Sequence, residues 1–141
     1  MKNTFQYSCL YFFVIISFFS CNKNTNQNAE EGKNTENTTI SVSEFSKKIK
    51  EDKNAVILDV RTLQEYAQEH LPNAILENMQ EDSFEANIAK MDKNKTYLLY
   101  CKVGGRSGKA VETMKKAGFK QVFDLDGGID DWKKAGEKTT K

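Results

Sequence analysis

The chain has 141 residues, with 21 lysines and arginines against 20 aspartates and glutamates. That length sets an expectation of one domain, and the near-cancelling charge gives no electrostatic reason for a nucleic-acid partner. One histidine and three cysteines without paired spacing argue against a zinc site, so neither a metal nor another cofactor is expected.

The first segment in chain order reads as an export signal. Lys2 supplies a minimal positive start, and Cys9 to Phe19 is an eleven-residue stretch in which Ser17 alone is polar. This falls short of the roughly 20 apolar residues a membrane-spanning helix needs, and it fits the hydrophobic part of a signal peptide. Ser20-Cys21 follows at once, and a small residue before a Cys at that place resembles the lipobox of bacterial lipoproteins. The resemblance implies a signal peptide over 1–20, lipid on Cys21, and export to a bacterial membrane, on its periplasmic side or at the cell surface. Residues 22–39 are rich in Asn, Thr, Glu and Lys and hold no large apolar side chain, so a flexible tether is expected there. With Cys9 removed and Cys21 acylated, Cys101 is the one free thiol in a compartment that favours disulfides. Such a thiol is either buried and inert or reactive.

From Ile40 to residue 137 strand and helix signals alternate. Ser41-Val42-Ser43-Glu44 is a capping box that opens a helix bearing Phe45 and Ile49 on one face. Ala55 to Val60 is a near-continuous apolar run, the mark of a strand covered on both sides. Thr62-Leu63-Gln64-Glu65 is a second capping box, whose helix Pro72 should stop. Ala74 to Leu76 reads as a short strand, Phe84 to Met91 as a helix, and Thr96 to Cys101 as the clearest interior strand. Ser107 to Ala117 should be a helix closed by Gly118, followed by a strand over Gln121 to Leu125 and a last helix over Ile129 to Ala135. The alternation predicts an α/β fold, a parallel sheet with helices on both faces.

The segment Tyr100-Cys101-Lys102-Val103-Gly104-Gly105-Arg106-Ser107 joins the end of a buried strand to the start of a helix, where open α/β sheets place their ligands. Gly104 and Gly105 let the loop curl and turn its amide protons inward, and the helix near Ser107 adds its positive end. Lys102 and Arg106 add full charges. Together these favour a thiolate, and such surroundings lower a cysteine from about 8.5 to roughly 4–7. Cys101 is therefore the candidate nucleophile, and the same cradle suits an oxyanion held by Arg106 and Lys102. Ser107 also fits a plain helix N-cap, and Arg106 a plain partner for a nearby carboxylate.

At this point the chain resembles the rhodanese (sulfurtransferase) family over nearly all of residues 40–136. Leu58-Asp59-Val60-Arg61, Glu65-Tyr66 and His70-Leu71-Pro72-Asn73-Ala74-Ile75 are similar to one family pattern. Cys101 to Ser107 resembles its Cys-x-x-Gly-x-Arg-Ser loop, and Leu125-Asp126-Gly127-Gly128 with Trp132 and Ala135-Gly136 its closing segment. The resemblance implies a five-stranded parallel sheet, Cys101 as the acceptor of sulfane sulfur, and Lys102 through Ser107 as the substrate loop. It implies a small anionic sulfur donor such as thiosulfate and a thiol or cyanide acceptor. Asp59, Arg61 and His70 are read as structural support, with Asp59 buried and Arg61 paired to Glu65, and Trp132 as a core anchor. Glu69 and Asn73 stand where the family has glycine; Asn73 tolerates a positive φ and Glu69 should extend the preceding helix. A Cys-dependent phosphatase is the other enzyme class, but its loop has five residues between Cys and Arg where this chain has four. A sulfur-carrier or protein-binding module without turnover is the non-enzymatic alternative. No apolar surface stripe calls for an oligomer, so a monomer is expected.

Overall fold

The computed structural model describes residues 38–141; the expected export signal, Cys21 and all but the last two residues of the expected tether lie outside them. The elements run β1 (Thr39–Ile40), α1 (Val42–Glu51), β2 (Val56–Asp59), α2 (Leu63–Gln68), β3 (Ile75–Leu76), α3 (Phe84–Ile88), β4 (Thr96–Tyr100), α4 (Gly105–Lys116), β5 (Gln121–Leu125) and α5 (Gly128–Lys134). The strands form one sheet in the order β1-β5-β4-β2-β3, with every pairing parallel.

β4 lies in the middle of that sheet and is buried along its length, as its apolar run requires. Its side chains alternate between two cores. Tyr97, Leu99 and Cys101 join Leu58, Val60, Ile88, Ala110 and Met114 under α3 and α4. Leu98 and Tyr100 join Phe45, Leu71, Leu125, Ile129 and Trp132 under α1 and α5. Trp132 anchors its helix as expected, edge-on to Phe45 at 6.0 Å between ring centres, with its indole N–H donating to the Lys138 carbonyl.

Both capping boxes form, at Ser41 with Glu44 and at Thr62 with Glu65. Several boundaries differ from expectation. β1 starts at Thr39, inside the segment read as tether, and the Thr38 carbonyl already accepts from the Asp124 amide; an edge strand of two residues leaves no periodic signal. α2 ends at Gln68, four residues before Pro72, and Glu69 is extended (φ −166°) instead of prolonging the helix. The cause is tertiary. The Glu69 carbonyl accepts from Arg61 Nη2 at 2.6 Å, and His70 exchanges backbone hydrogen bonds with Thr140, which carries the ordered contacts past residue 137. Asn73 does adopt the positive φ (61°) that the family's glycine would supply.

At the carboxyl end of β2 a buried network ties three elements together. Arg61 Nε and Nη2 donate to the Asp59 carboxylate at 2.6–3.0 Å, with the Asp59 side chain fully buried and that of Arg61 5% exposed. This corrects the expected Arg61–Glu65 pair, because Asp59 shares its strand end with Arg61 and turns the guanidinium inward. Tyr100 on β4 donates its hydroxyl to Asp59 Oδ2 at 2.6 Å and accepts from the Leu71 amide at 3.0 Å. Burial, then the Asp59 charge and hydrogen bond, hold the Tyr100 phenol well above its ordinary range, so it stays a neutral donor. Replacing Asp59 by Ala strands a buried guanidinium and should cost about 3–5 kcal/mol. Tyr100→Phe, which leaves the Leu71 amide unpaired, should cost about 1–3 kcal/mol, both read from urea unfolding midpoints.

Candidate active site

Cys101 follows the last residue of β4, at the carboxyl edge of the sheet, and the strand's alternation aims its side chain at the α4 face. Three residues then suffice to bring the chain back over the sulfur, because Gly104 takes a left-handed conformation (φ 95°) as the N-cap of α4. An added Cβ there would meet nothing closer than 3.9 Å, so glycine is required for its dihedral angle and not for space. α4 therefore begins at Gly105, two residues ahead of the expected start, and Ser107 is its third residue instead of its cap. The Gly104 amide donates to Cys101 Sγ at 3.1 Å.

Cys101 is 1% exposed, so its sulfur lies on the floor of the loop, facing it. Burial pushes the thiol up, but the Ser107 hydroxyl and amide, then the amides of Val103 and Arg106, outweigh it, and the thiol is held below its ordinary value. The Ser107 hydroxyl also lies 3.2 Å from the Gly104 carbonyl, a further acceptor. Above the sulfur the loop is open: Gly105 and Lys102 are exposed and Val103 is 63% exposed.

The two cations differ. Arg106 makes a two-pronged ion pair with Glu65 of α2, Nη1 to Oε2 at 2.7 Å and Nη2 to Oε1 at 2.6 Å. The Arg106 hydrogen bond leads the effects that pull the Glu65 carboxyl down to about 2. That hydrogen bond in turn raises the Arg106 guanidinium, burial opposes it, and the charges of Glu65 and Cys101 add to the rise. Arg106 is thus bound to the carboxylate, with the Cys101 charge a lesser influence on it. Lys102, expected beside the thiolate, reaches instead to Asp130 of α5, Nζ to Oδ2 at 2.6 Å. Its stem leaves the loop on the α5 side, where Asp130 is its acceptor.

The loop's carbonyls are held by α5. The Ile129 amide donates to the Cys101 carbonyl at 2.9 Å and the Asp130 amide to that of Lys102 at 3.2 Å. Gly128 (φ 60°) makes this approach possible, since a Cβ would fall 2.5 Å from the Cys101 carbonyl oxygen and 2.6 Å from Lys102 backbone atoms. Asp59, Arg61 and His70 stand apart from the sulfur. His70 stacks on Tyr66 at 3.8 Å, with Nδ1 3.0 Å from the Tyr66 carbonyl, a structural setting. The structure therefore gathers Cys101, Val103, Gly104, Arg106 and Ser107, turns Lys102 aside, and adds Glu65, Gly128 and Asp130. Glu65 was legible as a capping residue and as an expected partner of Arg61, not of Arg106, and the sequence signal for the α5 contact was a glycine pair at the head of a helix.

Residues 41–135 match the rhodanese-like domain family. Among curated relatives, the chain is 37% identical over 93 residues to the putative sulfur carrier protein YrkF of Bacillus subtilis, covering 66% of this chain and 49% of the relative. It is also 37% identical over 78 residues to the thiosulfate sulfurtransferase GlpE of Coxiella burnetii, covering 55% of this chain and 71% of that one. The chain thus spans about half the length of the Bacillus relative. Among solved structures, a rhodanese-like domain protein from Staphylococcus aureus shares 35% identity at a TM-score of 0.60, covering 67% of this chain and 90% of that one. A rhodanese-related protein from Thermoplasma volcanium shares 27% at a TM-score of 0.63, covering 72% and 96%.

Gly128→Ala tests the backbone contact. A side chain there forces the Cys101–Lys102 backbone away and strains a positive φ, so the folded protein should lose at least about 1–3 kcal/mol. Its Cys101 should also ionise at higher pH, read from thiolate ultraviolet absorbance against a Cys101→Ser reference.

Proposed function

The chain belongs to the rhodanese-like domain family, and on that premise we propose that it moves sulfane sulfur from a small anionic donor such as thiosulfate to a thiophilic acceptor through a persulfide on Cys101. The observation that supports this most is the sulfur itself, buried yet lowered in pKa by convergent amide and hydroxyl protons. A structural cysteine in an apolar core is pushed the other way.

In the proposed reaction the Cys101 thiolate attacks the outer sulfur of thiosulfate. The S–S bond of the donor breaks, its electron pair leaves with sulfite, and Cys101 carries a persulfide anion. An acceptor such as cyanide or a thiolate then attacks the outer sulfur, forming thiocyanate or a new persulfide and restoring the Cys101 thiolate. Protons need not move, so no general base is required. The amides of Val103, Gly104, Arg106 and Ser107 stay fixed and serve both anions, the thiolate and the persulfide. Arg106 keeps N–H groups beyond the two given to Glu65 and offers them to the donor's oxygens. The depth of the sulfur favours a slender terminal sulfur over a bulky one. The carrier reading, which the name of the Bacillus relative brings into view, shares the persulfide and differs only in turnover.

Incubation of the full chain with thiosulfate should add one sulfur to the intact mass, absent in Cys101→Ser, and cyanide should then release thiocyanate. An unchanged mass with no thiocyanate removes thiosulfate as a donor. Persulfide formed without repeated turnover selects the carrier reading. Arg106→Lys replaces the fork by a point charge and should lower kcat/KM for thiosulfate by about 10–100-fold.

We also propose that the protein is exported and tethered to a bacterial membrane by lipid on Cys21, from the apolar run ending at Ser20-Cys21. Expression in a bacterial host with labelled palmitate should label the wild type and leave Cys21→Ser unlabelled; equal labelling of both overturns the anchor.

A further inference from the structure

The charge that nearly cancels over the whole chain is unevenly placed on the fold. In a parallel sheet all strands start at one edge, and the register sets Val56 beside Tyr97 and Thr96 beside Gln121, so the connections into β2, β4 and β5 meet there. Lys50 and Lys53 lead into β2, and Lys90, Lys93 and Lys95 into β4. Lys115, Lys116 and Lys120 lead into β5, and all eight lysines are exposed. The last two connections touch, the Lys120 amide donating to the Lys93 carbonyl at 3.2 Å. Over residues 50–55, 89–95 and 115–120 there are three carboxylates, Glu51, Asp52 and Asp92, against those eight lysines, an excess of five cations. At the edge strand β3 the connection adds Glu69, which Lys133 neutralises.

None of the eight lysines makes an ion pair among the described residues. The three carboxylates are engaged elsewhere: Glu51 with Lys47 at 3.8 Å, and Asp52 and Asp92 with the amides of Asn54 and Asn94 at 2.9 and 3.0 Å. Complementing a helix dipole accounts for Lys50, Lys115 and Lys116, in the last turns of α1 and α4. It does not account for Lys53, Lys93, Lys95 and Lys120, which lie beyond the helices. The opposite edge, where Cys101 lies, has the reverse character. Its connections present Glu81, Asp82 and Asp126 to solvent, while their two cations are taken, Arg61 by Asp59 and Lys102 by Asp130.

We propose that the lysine edge is a membrane-facing surface: it rests on the headgroups of an anionic bilayer and so turns the Cys101 edge away from the lipid. The occupant follows from where the chain enters. β1 is parallel to β5, with Thr39 opposite Asp124, so its start too points toward the lysine edge, and the sequence before it leads back to Cys21. The inference rests on the membrane attachment proposed above. Attachment alone sets no orientation, because the chain from Cys21 to Thr38 can span up to about 55 Å. Charge sets it: each lysine near an anionic surface strengthens binding about fivefold, and the acidic edge is repelled. No helix among the described residues is long and apolar enough to cross a membrane, so the domain meets the bilayer surface to surface.

The test is lysine footprinting. The full chain carrying Cys21→Ser is mixed with an excess of phosphatidylglycerol vesicles or of phosphatidylcholine vesicles, acetylated briefly with an amine-reactive reagent, and read residue by residue by mass spectrometry. The apolar run at residues 9–19 is common to both arms. Lys93, Lys95, Lys116 and Lys120 should react about fivefold more slowly on the anionic vesicles. They should recover at about 0.5 M salt, where charges are screened beyond about 4 Å. Lys102 and Lys109, toward the Cys101 edge, should react alike on both lipids. Lys93→Glu combined with Lys120→Glu, two exposed positions without an ion pair, should abolish the protection of Lys95 and Lys116. Equal reactivity of the lysine edge on the two lipids overturns the proposal, and so does equal protection of Lys102 and Lys109. Protection by duplex DNA and not by the anionic vesicles assigns the edge to another polyanion and overturns it as well. This chain carries no lipid, so the footprint can pass where palmitate labelling fails, and fail where labelling succeeds.

Discussion

A buried thiol is lowered only where hydrogen-bond donors converge on its sulfur, and most of this fold serves that convergence at Cys101. The amides around Cys101 Sγ come from one short turn, so the chain must reverse within three residues of leaving β4. A left-handed residue at position 104 is the local solution, and glycine adopts it without strain. The helix that follows at once adds its own first-turn amides, which have no partners within the helix. Burial opposes ionisation at Cys101, and the Ser107 hydroxyl together with the loop amides outweighs it.

Turning amides inward turns carbonyls outward, and those need partners of their own. α5 supplies them through the amides of Ile129 and Asp130, and Gly128 sets the distance of approach. The neighbouring strand end is fixed by Asp59, Arg61 and Tyr100, the residue immediately before Cys101. Three parallel strands thus converge on one edge: β4 brings the sulfur, β2 locks its base and β5 leads into the helix that holds its carbonyls. The site depends on sheet order as much as on the loop.

Much of this was legible in the residues. The continuous apolar run at Tyr97–Tyr100 marked the central strand, and two capping boxes located two helix starts to the residue. The loop's chemistry was legible because glycine, cation and cysteine were adjacent in sequence. Contacts made across the fold were not. Glu65 lies 41 residues from Arg106, and nothing local distinguished it as a partner of Arg106 and not of Arg61. Arg61 turned inward because Asp59, two residues away, was nearer than Glu65 in the folded strand end. The end of α2 was set by a carbonyl recruited by Arg61, a tertiary effect that the distant proline could not signal. β1 was too short for any period to register.

The charges around the sulfur carry a further lesson about how the loop acts. Both cations come with a carboxylate: Arg106 with Glu65, and Lys102 with Asp130. The formal charge of each pair is zero, so a long-range positive field is a poor explanation for a lowered thiol. Fixed dipoles explain it better, because an amide proton a hydrogen bond away acts at short range and in a dry setting. Dissolved salt reaches the half-exposed Lys102–Asp130 pair and weakens it, but it does not reach the amides between Cys101 and α4. The lowering of the thiol is accordingly the work of the Ser107 hydroxyl and of the backbone's shape, and each cation is held by its own carboxylate.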